Sequence, residues 1–180
     1  MKLTYLMVVA LVVLAVSGSG VLADELPVFS PSSLAVYDGR DGSPAYIAID
    51  GYVYDVSSVF SDGTHAGFEA GREWTEEMAE SGHGVAPLEG LEPIGVFVSL
   101  ELTLEELSQF TGRDGNPAYV AVEGLIYDVT DSARWRGGMH NTYRAGNDLT
   151  EAIQGASPHG ERVLANVPLI GVLVVEEEEE

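Results

Sequence analysis

The chain writes one pattern twice. From position 38 it reads DGRDGSPAYIAIDGYVYDVSS and from position 111 TGRDGNPAYVAVEGLIYDVTD, with 12 of the first 20 aligned positions identical. The match runs on through SDGTHAGFEAGREWTEEM against RGGMHNTYRAGNDLTEAI, ESGHG against ASPHG, and PIGVFV against LIGVLV. Its period of about 75 residues is longer than the 20–50 residues of a solenoid unit. Two tandem copies of a small domain are therefore expected. A feature found in both copies belongs to the unit, and one found in a single copy is that copy's own.

Each copy carries the same succession of local signals. Phe29-Ser30-Pro31 leads into Ser33–Val36, and Thr103 with Glu106 forms a capping box before Leu107. Gly-Arg-Asp-Gly and a proline then turn the chain. Ala45–Ile49 and Ala118–Val122 read as strands, and Asp50-Gly51 and Glu123-Gly124 close them into hairpins with Tyr52–Val56 and Leu125–Val129. A loop follows, then a helix beginning near Arg72 or Asn147, a second loop, a weaker helix and a last apolar strand. This order indicates α+β units of about 70 residues, small enough that a bound cofactor or packing between units would help to hold them. Tyr46, Tyr54, Tyr119 and Tyr127 recur on the strands and read as core and hairpin packing. Asp38–Asp41 lacks the alternating oxygen ligands of a calcium loop and reads as turn chemistry.

Charge and composition exclude several functions. The 180 residues carry 29 Asp and Glu against 8 Lys and Arg, a net charge of −21. Such a surface repels phosphate backbones, which argues against nucleic acid and anionic lipid as partners. Cysteine is absent, so disulfides, thiolate metal sites, thioether-linked haem and thiol nucleophiles are excluded. At the start, Met1-Lys2 precedes the apolar run Leu3–Val16, then Ser17–Gly20 and the small-residue site Val21-Leu22-Ala23. That order is expected of a secretory signal peptide removed before Asp24. An uncleaved anchor is the competing reading, but its core of about 14 apolar residues is short beside the roughly 20 that span a bilayer. The expected organisation is signal peptide 1–23, first domain 24–98, second domain 99–175 and acidic tail 176–180. The mature chain would be extracytoplasmic (secreted, periplasmic or at the cell surface) and not embedded in the membrane.

The four histidines, His65, His83, His140 and His159, fall in two equivalent pairs, one per copy, and each sits in or beside a glycine-containing loop. Residues 18 or 19 positions apart cannot share one helix face. Set across a cleft they can hold a metal from both sides, most directly a haem iron. Zinc would need more protein ligands than two imidazoles supply. Acid–base catalysis would need a recurring partner, and only the steps Thr75-Glu76 and Thr150-Glu151 recur. Solvated loop histidines remain the plain alternative.

The order YDV, histidine loop, Ala-Gly, Thr-Glu, His-Gly resembles the cytochrome b5-like haem/steroid-binding domain family. The second copy, LEELSQFTGRDGNPAYVAVEGLIYDVTD…WRGGMHNTYRAGNDLTEAIQGASPHGERVL, is similar throughout to its prokaryotic branch, and the first copy more loosely. The resemblance implies two tandem b5-like domains, each a small sheet with helical arms forming a haem cleft. It implies noncovalent haem b, two per chain, with iron held by His65 and His83 in the first domain and His140 and His159 in the second. Neither copy has the His-Pro-Gly-Gly motif of the best-known members. Tyr143 and Met139 are matched in the first copy by Phe68 and Thr64, so histidine is the one capable ligand that both copies share. Trp135 with Phe60, and Leu149 with Trp74, are expected to line the cleft.

The expected function is then an exported diheme b-type cytochrome that transfers single electrons, not an enzyme, with a redox partner carrying a basic patch. The alternatives are a non-redox module binding a sterol-like or other apolar ligand in the same cleft, and a structural repeat without cofactor.

Overall fold

The computed structural model describes residues 26–80, 88, 90–156, 164 and 166–175. The N-terminal segment with its expected cleavage site, the acidic tail, His83 and His159 lie outside the described residues. The chain separates into two compact units, one ending at Val98 and the other beginning at Ser99.

The first unit consists of β1 (Val28–Phe29), α1 (Pro31–Leu34), β2 (Tyr46–Ile49), β3 (Tyr52–Asp55), β4 (Thr64–His65), β5 (Phe68–Glu69), β6 (Arg72–Glu73), α2 (Thr75–Glu80) and β7 (Gly95–Phe97). The second consists of β8 (Leu100–Leu102), α3 (Leu104–Leu107), β9 (Tyr119–Val122), β10 (Leu125–Asp128), β11 (Met139–His140), β12 (Tyr143–Arg144), β13 (Asn147–Asp148), α4 (Thr150–Ala156) and β14 (Leu169–Leu173). Strand order is β1-β7-β3-β2-β6 in one sheet and β8-β14-β10-β9-β13 in the other. The two orders are the same, element for element. In each, an antiparallel hairpin forms the centre and the outer strands pair in parallel.

Local sequence accounts for the hairpins. Asp50 and Gly51 have φ of 50° and 78°, and Glu123 and Gly124 have φ of 53° and 79°. Two successive left-handed residues make the turn whose twist matches the flanking strands. Strand alternation then sorts side chains onto two faces. One face buries Phe29, Leu34, Ala48 and Val53 in the first unit and Leu102, Leu107, Ala121 and Ile126 in the second. Tyr37 stacks on Tyr46 there, and Phe110 on Tyr119, each with ring centroids 4.5 Å apart. Thr103 accepts from the Glu106 amide and caps α3, while the Glu106 carboxylate accepts from the Thr103 amide. The opposite face gathers Ile47, Ile49 and Val56, or Val120, Val122 and Val129, and carries the site. Tyr54 and Tyr127 pack on that side, so the four repeated tyrosines divide between the two faces.

Two sequence expectations differ from the fold. The segments at Arg72 and Asn147 are strands, not helix starts: β6 pairs in parallel with Ile47–Ala48, and β13 with Val120–Ala121. The helices begin two or three residues later, where the Thr75 and Thr150 amides donate to the carboxylates of Glu73 and Asp148 at 2.8 and 2.9 Å. Ladder bonding outcompetes helix formation until a carboxylate satisfies the first free amides. The arm bearing the first histidine of each pair is also not α-helical, apart from a 3-10 turn at Arg136–Gly138 in the second unit. It is the hairpin β4–β5 or β11–β12, because the glycine-rich loops favour turns over helix. Strands therefore dominate, and α4, the longest described helix, has 7 residues. No described helix is long and apolar enough to cross a membrane.

Candidate functional site

Each arm is rooted in backbone. In the second unit the Ala145 amide donates to the Gly138 carbonyl at 2.8 Å, and the Gly146 amide to Tyr119 at 2.7 Å. In the first unit Ala70 donates to Gly63 at 2.9 Å and Gly71 to Tyr46 at 2.7 Å. Gly138 (φ 71°) lies against the Thr111 carbonyl and Gly63 (φ 74°) against that of Asp38, and a Cβ at either position would collide with that oxygen. Glycine is required there both for its conformation and for the close approach.

These roots place His140 and His65 at equivalent points on the two arms. His140 is half-buried, with its ring 5.5 Å from that of Trp135 at a 32° tilt. Its Nδ1 lies 3.0 Å from the Arg134 carbonyl oxygen. A carbonyl only accepts, so Nδ1 carries a proton, and in the neutral ring Nε2 then keeps its lone pair. The Asn141 amide nitrogen lies 3.5 Å from Nε2, at the outer limit of a hydrogen bond. A neutral imidazole with Nδ1–H bound to a carbonyl is the form in which histidine ligates a metal. His65 lies 5.7 Å from the Phe60 ring at a 34° tilt. It is exposed, and no hydrogen bond reaches its ring among the described residues. Their partners in the expected pairs, His83 and His159, lie outside the described residues.

Apolar side chains from the arm and the following helix converge on the same sheet face. In the second unit Trp135 and Tyr143 from the arm, Leu149 before α4, and Ala152 and Ile153 on α4 pack over Val120, Val122 and Val129. In the first, Phe60, Phe68, Trp74 and Met78 pack over Ile47, Ile49 and Val56. The expected cleft residues Trp135, Phe60, Leu149 and Trp74 all fall in these clusters. Burial raises the Tyr54 phenol above its ordinary pKa, with neighbouring Tyr52, Asp50 and Glu92 adding to it, so Tyr54 stays neutral on this face.

The ends of the arms differ. Trp74 packs edge-on against Phe68 with centroids 5.1 Å apart, donates from Nε1 to the Glu69 carbonyl at 2.7 Å, and lies under the Arg72 guanidinium at 4.9 Å. Glu69 is clamped by Arg72 at 3.2 Å and Arg40 at 3.8 Å. In the second unit Leu149 replaces that tryptophan and Arg144 replaces Glu69. Asn147 instead donates to the carbonyls of Arg144 and Ala145.

Several participants carried no sequence signal. The Arg134 contribution is a main-chain oxygen, and the Gly63 and Gly138 pivots look like ordinary loop glycines. The recurring Thr-Glu step has a structural use. Thr75 and Thr150 accept from the amides of Asp50 and Glu123 at 2.8 and 2.7 Å, tying helix to hairpin turn. Among the described residues no group of three or more His, Asp or Glu side chains converges, the arrangement a bare-ion site would use. The donor chemistry of His140 beside an apolar face fits a flat, apolar, iron-bearing ligand such as haem.

Comparison with known proteins finds matches to the second unit. The family model described as "Cytochrome b5-like Heme/Steroid binding domain" matches residues 103–174, within the second unit. The protein named "Probable steroid-binding protein 3" from Arabidopsis thaliana is 38% identical over 66 residues, 36% of this chain and 66% of that protein's length. A solved cytochrome b5 domain protein of Hadesarchaea is 49% identical, with 41% of this chain and 97% of that one covered and a TM-score of 0.39. One from Methanococcoides burtonii is 41% identical, with 41% and 96% covered and a TM-score of 0.39. Residues 103–174 thus resemble the cytochrome b5-like haem/steroid-binding domain family.

Proposed function

We propose that the second unit binds b-type haem noncovalently between His140 and His159 and passes single electrons, and that the first unit is a second copy of the same domain using His65 and His83. The chain is then an exported two-haem cytochrome, with a mature start at Asp24. The observation that carries this reading is the hydrogen bond from His140 Nδ1 to the Arg134 carbonyl. It holds the ring in the ligating tautomer before any ligand arrives. Bound haem supplies one-electron exchange at its iron, and two imidazole ligands leave no open position for oxygen or peroxide chemistry. The protein's own part is to orient His140 and exclude water, through Trp135, Tyr143, Leu149 and Ile153. In the first unit the exposed, untethered His65 and the Trp74–Phe68 packing make for weaker loading.

Pyridine haemochrome analysis of protein made with haem available tests the reading. Two haems per chain are expected, with a six-coordinate low-spin spectrum, and His140→Ala should abolish that spectrum for the second unit. A ratio near one would confine binding to the second unit, and a ratio near zero would overturn the cytochrome reading. Intact mass beginning at Asp24 is the outcome expected of export.

A second reading draws on the relative named for steroid binding. The apolar face beneath Tyr143 would hold a sterol-like ligand without redox chemistry. Saturable binding of a fluorescent sterol by haem-free protein, with no haem taken up, would select it.

A further inference from the structure

The second unit's arm is a cationic island in an anionic chain. Between Ser132 and Asn147 the sequence holds Arg134, Arg136 and Arg144 and no carboxylate. Arg113, from the turn before β9, adds a fourth guanidinium, its Nη2 lying 3.7 Å from the sulfur of Met139. Met139 pairs directly with Arg144 across β11–β12. All four arginines are exposed. Among the described residues none of them forms an ion pair, and the two pairs present belong to Glu69 in the first unit. Asp114 and Asp131 flank the island in sequence without pairing to it. The equivalent stretch of the first unit, Ser57–Arg72, holds Asp62 and Glu69 against Arg72. Arg40 and Arg72 of the first unit pair with Glu69, whereas Arg113, Arg134, Arg136 and Arg144 form no ion pair among the described residues.

We infer that the arm of the second unit is a docking surface for the carboxylate-rich face of another protein. Net charge alone favours a basic partner, but charges act at contact within a Debye length of about 8–10 Å at ordinary ionic strength. Between Ser132 and Asn147 the arm itself carries only cations, and Asp114 and Asp131 at its flanks form no ion pair with them among the described residues. Arginine suits the task because its guanidinium binds carboxylate through two parallel hydrogen bonds. This inference does not depend on haem, since no residue of the island is one of the histidines.

The test uses the full chain, with and without haem, and a fluorescein-labelled deca-glutamate peptide followed by anisotropy at 0.15 M salt. Saturable binding is expected, weakened about tenfold by Arg144→Glu and by Arg136→Glu. Arg40→Glu in the first unit should leave it unchanged. Arg144→Gln, which removes charge without adding repulsion, should give a smaller loss in the same direction. Equal binding by all variants, or tighter binding of a deca-lysine peptide that shifts the amide resonances of residues 134–144, would overturn the proposal. So would dimerisation that Arg144→Glu and deletion of 176–180 each abolish, because the occupant would then be a second copy of this chain. Docking that persists in haem-free protein separates this outcome from the fate of the cytochrome reading.

Discussion

The two arms have the same skeleton and opposite finishes. Both hang from a glycine pressed against a carbonyl, and both carry a histidine tilted against an aromatic ring. The first arm closes on itself: Glu69 grips two arginines, and Trp74 fills the space between Phe68 and Arg72. The second differs, with Leu149 in place of the tryptophan, arginines that form no ion pair among the described residues, and its histidine held by a main-chain oxygen. Backbone geometry is thus common to the two units, while the side chains of their arms differ.

The largest effect should come where the arms are alike. Gly138→Ala drives a methyl group into the Thr111 carbonyl, and Gly63→Ala does the same at Asp38. Each should cost about 3 kcal/mol or more in urea unfolding. A gap of more than about 1 kcal/mol between them, well above ordinary scatter, would break the claim of a shared root.

Next come the rings beside the histidines. Trp135→Ala should cost about 2–3 kcal/mol and Phe60→Ala about 2 kcal/mol, since both lie only half-buried in their clusters. Trp135→Ala should also slow haem uptake by the second unit, whereas Phe60→Ala should leave that uptake unchanged. Equal effects on uptake would remove the distinction between prepared and closed arms.

A smaller change is expected from Glu69→Gln, which releases Arg40 and Arg72. These pairs are about half-exposed, with side-chain exposures of 48% and 60%, so thermal unfolding should register about 0.5 kcal/mol or less. The sharper readout is binding: the freed guanidiniums should give the first unit measurable affinity for the deca-glutamate peptide.

The smallest effect concerns alkaline pH. Burial raises the Tyr46 phenol above 10, with Asp55 and Tyr37 adding to it, and burial raises Tyr119 with Asp128 adding. Both phenols favour the protonated form in the folded state. Their contribution is therefore complete below the unfolded pKa near 10 and is lost as pH rises through the higher folded value. Tyr46→Phe should flatten that part of the pH–stability profile. An unchanged profile would mean that other groups govern the alkaline limb.

Much of the fold was legible because its signals are short-range. The paired turn residues at 50–51 and 123–124, the Thr103 capping box and the alternation of Val120, Ala121 and Val122 all act within a few positions. What sequence reading missed was decided at a distance. Arg72–Glu73 and Asn147–Asp148 look like helix starts, but they become strands because β2 and β9 offer a free edge. The candidate ligands His65 and His140 could be found by comparing the copies, since residue type and position both recur. The hold on His140 could not, because an Arg134 carbonyl leaves no trace in residue identity. Nor could net charge reveal the cationic arm, which averages away in a chain of −21.

The rooting of the arms by main-chain bonds alone makes them exchangeable parts. Gly71 bonds to Tyr46 on its sheet and Ala70 to Gly63 within the arm, as Gly146 bonds to Tyr119 and Ala145 to Gly138. No anchoring bond asks anything of the side chains between them. A loop attached in this way can be rewritten residue by residue, from self-neutralised to cationic, without renegotiating the sheet beneath it. The same strand order thus carries one arm whose arginines pair with Glu69 and one whose arginines pair with no carboxylate among the described residues.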